Sequence, residues 1–183
     1  MKDKPRSRQR NSGMLADIIA YDGDKSALYA EIGRFVFEFS LLEATLRRIL
    51  RRKLKLHVAY KDIMTAGFDF AKLVTAVLAA SALEEGGKPE PALQKLLNRC
   101  HDINALRVAV VHGQWSSTLG GDSAYHVTRG SMTQKRFFEY EGDLDAASDE
   151  IVKLRDDINA AISRSNERRN DLPENDSGSP LME

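Results

Sequence analysis

Residues 26–54 read SALYAEIGRFVFEFSLLEATLRRILRRKL, and the spacing of their apolar side chains decides the fold. Leu28, Ile32, Phe35, Phe39, Leu42, Leu46, Ile49 and Leu50 recur at steps of three and four. Those steps place them on one stripe of a helix with 3.6 residues per turn. Asp24 or Ser26 is suited to cap its start. A helix this long predicts the spine of a bundle.

Outward from that spine, residues 57–66 suit a short helix or turn ending at Gly67. A second long helix is expected from about Asp69 to Glu85, with Phe70, Leu73, Val74, Val77, Leu78 and Leu83 facing inward. Gly86 and Gly87 end it by supplying a left-handed position without strain. Pro91 suits the first turn of a third helix, whose stripe is Leu93, Leu96, Leu97, Cys100, Ile103, Leu106, Val110 and Val111, with Gly113 as the stop. The texture then changes. Residues 115–119, 123–129 and 132–140 alternate, with turn residues between them, which predicts a small antiparallel hairpin or three-strand meander. A last helix is expected from Leu144 to Arg164, with Leu144, Ala147, Ile151, Leu154, Ile158 and Ile162 in register. The predicted fold is mainly α: a helical bundle with a β insertion at about 114–140, just before the last helix.

The 183 residues are 42% apolar and 30% charged, which suits one domain with one core. That domain is expected over 14–165, between a basic flexible tail at 1–13 and a disordered tail at 166–183. The latter has almost nothing apolar to offset its ordering entropy. The lone Cys100 excludes a disulfide framework and any cysteine zinc site. No apolar run approaches the ~18 residues of a membrane span. Asp17, Asp22 and Asp24 interrupt the region where a signal peptide would need its apolar core. A reducing, cytoplasmic setting is expected, with no membrane partner.

Basic and acidic residues balance at 27 each, which argues against a wholesale polyanion binder. The distribution is uneven, however. Six basic residues fall between Arg47 and Lys55 with no acid among them. Arg47, Arg48, Arg51 and Arg52 repeat at i, i+1, i+4 and i+5, so they share a helix face. That face reads either as a phosphate-binding strip or as a solvated outer surface.

The sequence has no Gly-x-Gly-x-x-Gly, Walker loop, His-Glu-x-x-His or Gly-x-Ser-x-Gly. Its four histidines are scattered and none sits in a metal-ligand cluster with carboxylates, so neither a metal site nor a cofactor is expected. Arg107 and His112 stand out, five residues apart in the closing turns of a helix. Five residues turn through ~500°, so the two project ~140° apart on a regular helix. They share a site only if the last turn loosens or a neighbouring subunit completes the pocket. An imidazole exchanges protons near neutral pH, and a guanidinium grips phosphate through paired hydrogen bonds. Together they are a minimal kit for RNA transesterification without a metal. Arg52 and His57 repeat the same spacing without the same helical context. His112 also suits a purely structural place at a helix C-terminus. His101 reads as a structural histidine. Trp115 could stack a base or anchor the hairpin.

Two segments resemble the HEPN superfamily of helical-bundle proteins. Phe35-Val-Phe-Glu-Phe-Ser-Leu-Leu-Glu43 is similar to an aromatic-x-x-Leu-Glu segment of small bacterial and phage members. Asn104…Arg107-x4-His112-Gly113 resembles the family's Arg-x4–6-His signature. Val108 follows Arg107 where catalytic members usually place a polar residue, and Asn104, one turn earlier, is the candidate to stand in. The resemblance implies a metal-independent endoribonuclease acting on RNA, as a toxin or phage-defence effector with an antitoxin or other partner protein. It also implies a homodimer whose cleft forms where two signature helices meet. Catalytic candidates are then Arg107, His112, Asn104 and Glu43. Glu43 is either a partner for Arg107 or a half-exposed helix glutamate. A non-catalytic dimerisation module of the same fold and a small RNA-binding regulator are the competing readings.

Overall fold

The computed structural model describes residues 25–118, 121–127, 134–138 and 142–170. The chain is mainly α-helical. Its elements are α1 (Ser26–Lys53), α2 (Val58–Thr65), α3 (Phe70–Glu84), α4 (Pro91–His112), β1 (Gln114–Thr118), β2 (Gly121–Val127), β3 (Gln134–Phe137) and α5 (Asp143–Asn170). No described helix is long and apolar enough to cross a membrane. The tail expected at 1–13 lies outside the described residues.

The described chain divides into two compact units. One comprises residues 25–39 and 104–149, and the other 40–103 and 150–170. The first holds the sheet, a three-stranded antiparallel meander in the order β1-β2-β3. Trp115 pairs with Ala124, and Ala124 in turn with Phe137. Gly121 and Asp122, expected as turn residues, belong to β2 and pair with Thr118 and Ser117. Phe138 follows β3 at φ 56, in the left-handed region. An aromatic stack holds it there: the Trp115 ring lies parallel to it at 6.1 Å, and Phe35 meets it edge-on at 6.3 Å. Arg34 of α1 bonds to Asp145, at 2.9 Å, and to Asp149 near the start of α5.

The second unit is a helical bundle. Leu42, Leu46, Ile49 and Leu50 of α1 are buried in it, with Leu73, Val74 and Val77 of α3, Leu93, Leu97 and Ile103 of α4, and Ile151, Leu154 and Ile158 of α5. Each set is the stripe its spacing predicts. Cys100 is buried among them, and desolvation pushes its thiol up to about 12. It stays protonated and acts as a packing group.

Local chemistry fixes the helix ends. Asp69 Oδ1 accepts from the Lys72 amide at 2.8 Å and caps α3, and that bond lowers the carboxyl's pKa. Gly86 takes φ 78 after α3, and the Gly87 amide returns to the Ala82 carbonyl at 2.8 Å. At the end of α1 the same motif is built on a lysine. Lys55 sits at φ 50, its amide donates to Arg52 O at 3.1 Å, and the Leu56 amide donates to Arg51 O at 3.0 Å. Among the described residues the first carbonyl to accept a helical bond into α1 is that of Lys25, from Tyr29 at 2.9 Å, one residue before the expected Ser26, while Asp24, the other expected cap, lies outside the described residues.

Three expectations need correction. Leu83 is 79% exposed rather than inward, because six residues past Val77 it has turned ~120° off the stripe; Ala80 and Ser81 fill that face. Val111 is exposed for the same reason, one residue beyond buried Val110. The C-terminal tail does not begin at 166. Helix α5 continues to Asn170, and long-range contacts hold its extension: Ser165 Oγ donates to Glu85 at 3.1 Å, and Arg168 to Glu90 at 2.7 Å.

Candidate functional site

The candidate site lies in the closing turns of α4. Helical bonding persists to the end, with the Gly113 amide donating to Ala109 O at 2.8 Å. The last turn therefore does not loosen, and Arg107 and His112 project ~140° apart within one chain. Gly113 ends the helix without entering the left-handed region.

Arg107 is half-buried, with its guanidinium carbon 5.9 Å from the centre of the Phe39 ring. That cation–π contact fixes the side chain against an apolar face. Its N–H groups make no hydrogen bond to any described residue, so the fork keeps its capacity for an anion. His112 is exposed as the last residue of α4, and Asn104 is half-buried one turn before Arg107. The Arg107–His112 pair is thus a held guanidinium and a solvent-reachable imidazole on one unbroken helix. The Arg52…His57 copy of the spacing is broken, because α1 ends at Lys53 and His57 caps α2 by accepting from the Ala59 amide at 3.2 Å.

Trp115 anchors the sheet. Its indole N–H donates to Val110 O at 3.0 Å, satisfying one of the carbonyls a helix end leaves open, and its ring stacks on Phe138. With its donor and one ring face engaged, Trp115 shows the anchoring role of the two expected for it.

Glu43, expected to pair with Arg107, has a partner on its own helix. It accepts from Arg47, one turn later on α1, at 2.6 Å. A helix presents i and i+4 on the same face, so the neighbour in sequence captures the carboxylate. Arg47 also donates to Thr65 O at 2.9 Å and Phe68 O at 3.4 Å, closing the end of α2. It is spent on structure and leaves the predicted phosphate strip. Arg48 is exposed and donates to Asn159 at 3.0 Å. Arg51 is half-buried and Arg52 exposed, and neither makes a side-chain hydrogen bond or ion pair among the described residues. The strip therefore narrows to the end of α1, where exposed Lys55 adds a further charge.

Sequence reasoning missed a cleft of about 680 Å³ in the second unit, lined by Glu85, Lys88, Glu90, Gln94, Ser165 and Arg168. Its groups come from α3, α4 and α5, and no short motif joins them. Among the described residues no group of three His, Cys, Asp or Glu side chains could hold a metal ion. Comparison with protein-family models, with curated proteins and with solved structures finds no match.

Proposed function

We propose that the chain is a metal-independent, HEPN-type endoribonuclease that works as a homodimer in the cytoplasm, as a toxin or phage-defence effector restrained by a partner protein. The observation that carries this reading is Arg107, half-buried, seated on Phe39, and without a described acceptor for its N–H groups, on the same unbroken helix as exposed His112. A guanidinium held in that way is ready for phosphate oxygens. Because the two side chains diverge within one chain, the reading requires two copies, with the Arg107 of one facing the His112 of the other.

In that crevice an imidazole nitrogen takes the proton of a ribose 2′-hydroxyl. The oxygen attacks the adjacent phosphorus, and the bond to the 5′-oxygen breaks as that oxygen receives a proton. The products carry a 2′,3′-cyclic phosphate and a 5′-hydroxyl. Arg107 stabilises the charge that grows on the non-bridging oxygens. Asn104 supplies the polar contact that Val108 cannot.

The test is cleavage of end-labelled RNA in EDTA. Cyclic-phosphate products are expected from the native protein, with a loss of about 100-fold or more in Arg107→Ala and His112→Ala. Intact RNA between pH 5 and 9 refutes catalysis. A second reading, an RNA-binding regulator, draws on Arg51 and Arg52, which make no hydrogen bond or ion pair among the described residues. It gains support if RNA binds uncut and Arg51→Gln/Arg52→Gln weakens the binding.

A further inference from the structure

At one end of the second unit, three helix termini are linked by consecutive contacts. Lys53, the last residue of α1, meets Glu84 at the end of α3 at 2.7 Å. The next residue, Glu85, accepts from Ser165 of α5 at 3.1 Å. One turn on, Arg168 meets Glu90 at 2.7 Å. The chain therefore leaves α5 at the end of the unit that carries the basic terminus of α1.

That terminus is cationic and partly apolar. Arg52 and Lys55 are exposed, Arg51 is half-buried, and the last two turns of α1 hold no acid. Leu54 and Leu83 are chain neighbours of the Lys53–Glu84 pair, and both are exposed, at 45% and 79%. Lys55 keeps a lysine at a left-handed position where glycine is the usual choice. The sequence thus retains a charge there at a conformational cost.

Residues 171–183, DLPENDSGSPLME, have the complementary character. They carry four acids (Asp171, Glu174, Asp176 and Glu183), no base, and the apolar Leu172, Leu181 and Met182. Thirteen extended residues reach at most ~45 Å, ample for an adjoining helix end. Single exposed ion pairs are weak, but a tether raises the local concentration of the segment to roughly millimolar.

The geometry points to residues 171–183 folding back onto the basic end of α1, carboxylates against Arg51, Arg52 and Lys55 and apolar side chains against Leu54 and Leu83, where they compete with incoming polyanions. This contact is independent of the chemistry proposed for α4.

The direct test is a spin label on Ser179→Cys in the full chain, with buried Cys100 left unlabelled. The amide signals of residues 51–55 are expected to lose at least about half their intensity at ~50 mM salt and to recover at ~0.5 M, where screening is strong. They should also recover in Arg51→Gln/Arg52→Gln/Lys55→Gln. Unattenuated signals overturn the proposal, as does attenuation found only between labelled and unlabelled copies. Competition is read by the anisotropy of a fluorescent 12-nucleotide single-stranded RNA. Deleting 171–183 should tighten binding about fivefold or more at low salt, and the triple variant should abolish that gain. Equal affinity with and without the segment refutes competition. Neither assay needs RNA cleavage, so failure here is distinct from failure of the catalytic reading.

Discussion

Helices α1 and α4 put their arginines to different uses. At the end of α4, Arg107 rests on an aromatic ring and its N–H groups meet no described acceptor, while His112 continues the same helix into solvent. On α1, Arg47 is engaged by Glu43 and two carbonyls, and Arg52 is cut off from His57 by the left-handed turn at Lys55. Both stretches contain Arg-x4-His. What separates them is backbone continuity and the neighbours each guanidinium meets, so basic density alone is a poor guide to available charge.

The contrast can be tested from both sides. Trp115 fixes the strand that leaves α4. Trp115→Ala should cost about 3 kcal/mol in urea unfolding, through lost ring packing and an uncapped carbonyl. Trp115→Phe keeps the stack and should cost only about 1 kcal/mol. Equal losses in the two variants would assign the whole effect to the hydrogen bond.

On α1, Arg47→Ala removes three charge-assisted hydrogen bonds and should cost about 2 kcal/mol by the same assay. Arg51→Ala, with no described partner, should change stability by less than about 0.5 kcal/mol. If the two variants behave alike, the division of the strip into structural and available arginines is wrong.

A gain rather than a loss is expected at Lys55. Lys55→Gly should stabilise the fold by about 0.5–1 kcal/mol, because glycine enters the left-handed region without strain. It should also weaken the RNA binding proposed for this helix end. A destabilised Lys55→Gly would show that the lysine side chain contributes more than its backbone costs.

Much of the fold was legible because long helices carry their burial pattern in their own spacing. Phe35, Phe39, Leu42 and Leu46 lie on the stripe their positions predict, and all are buried. The alternation after Gly113 likewise marked the meander. The remainder depends on partners distant in sequence. Helix α5 reaches Asn170 because Ser165 and Arg168 find Glu85 and Glu90, about eighty residues earlier, and the local composition of 166–170 carries no trace of that. Glu43 and Arg47 were both visible as candidates, but their capture of one another depends on which rotamers the α2 carbonyls draw in. The α4 pair was visible as a spacing. The ring beneath Arg107 is contributed by α1, and the sequence named Phe39 only as core.

The central claim is that Arg107 and His112 meet across two copies rather than within one. Subunit exchange between inactive Arg107→Ala and inactive His112→Ala tests it most directly. Half of the randomly mixed dimers are heterodimers, and each of these has one crevice with both native groups. The account predicts that cleavage in EDTA recovers to about a quarter of the native rate. A mixture as inactive as its components, with exchange verified, contradicts it.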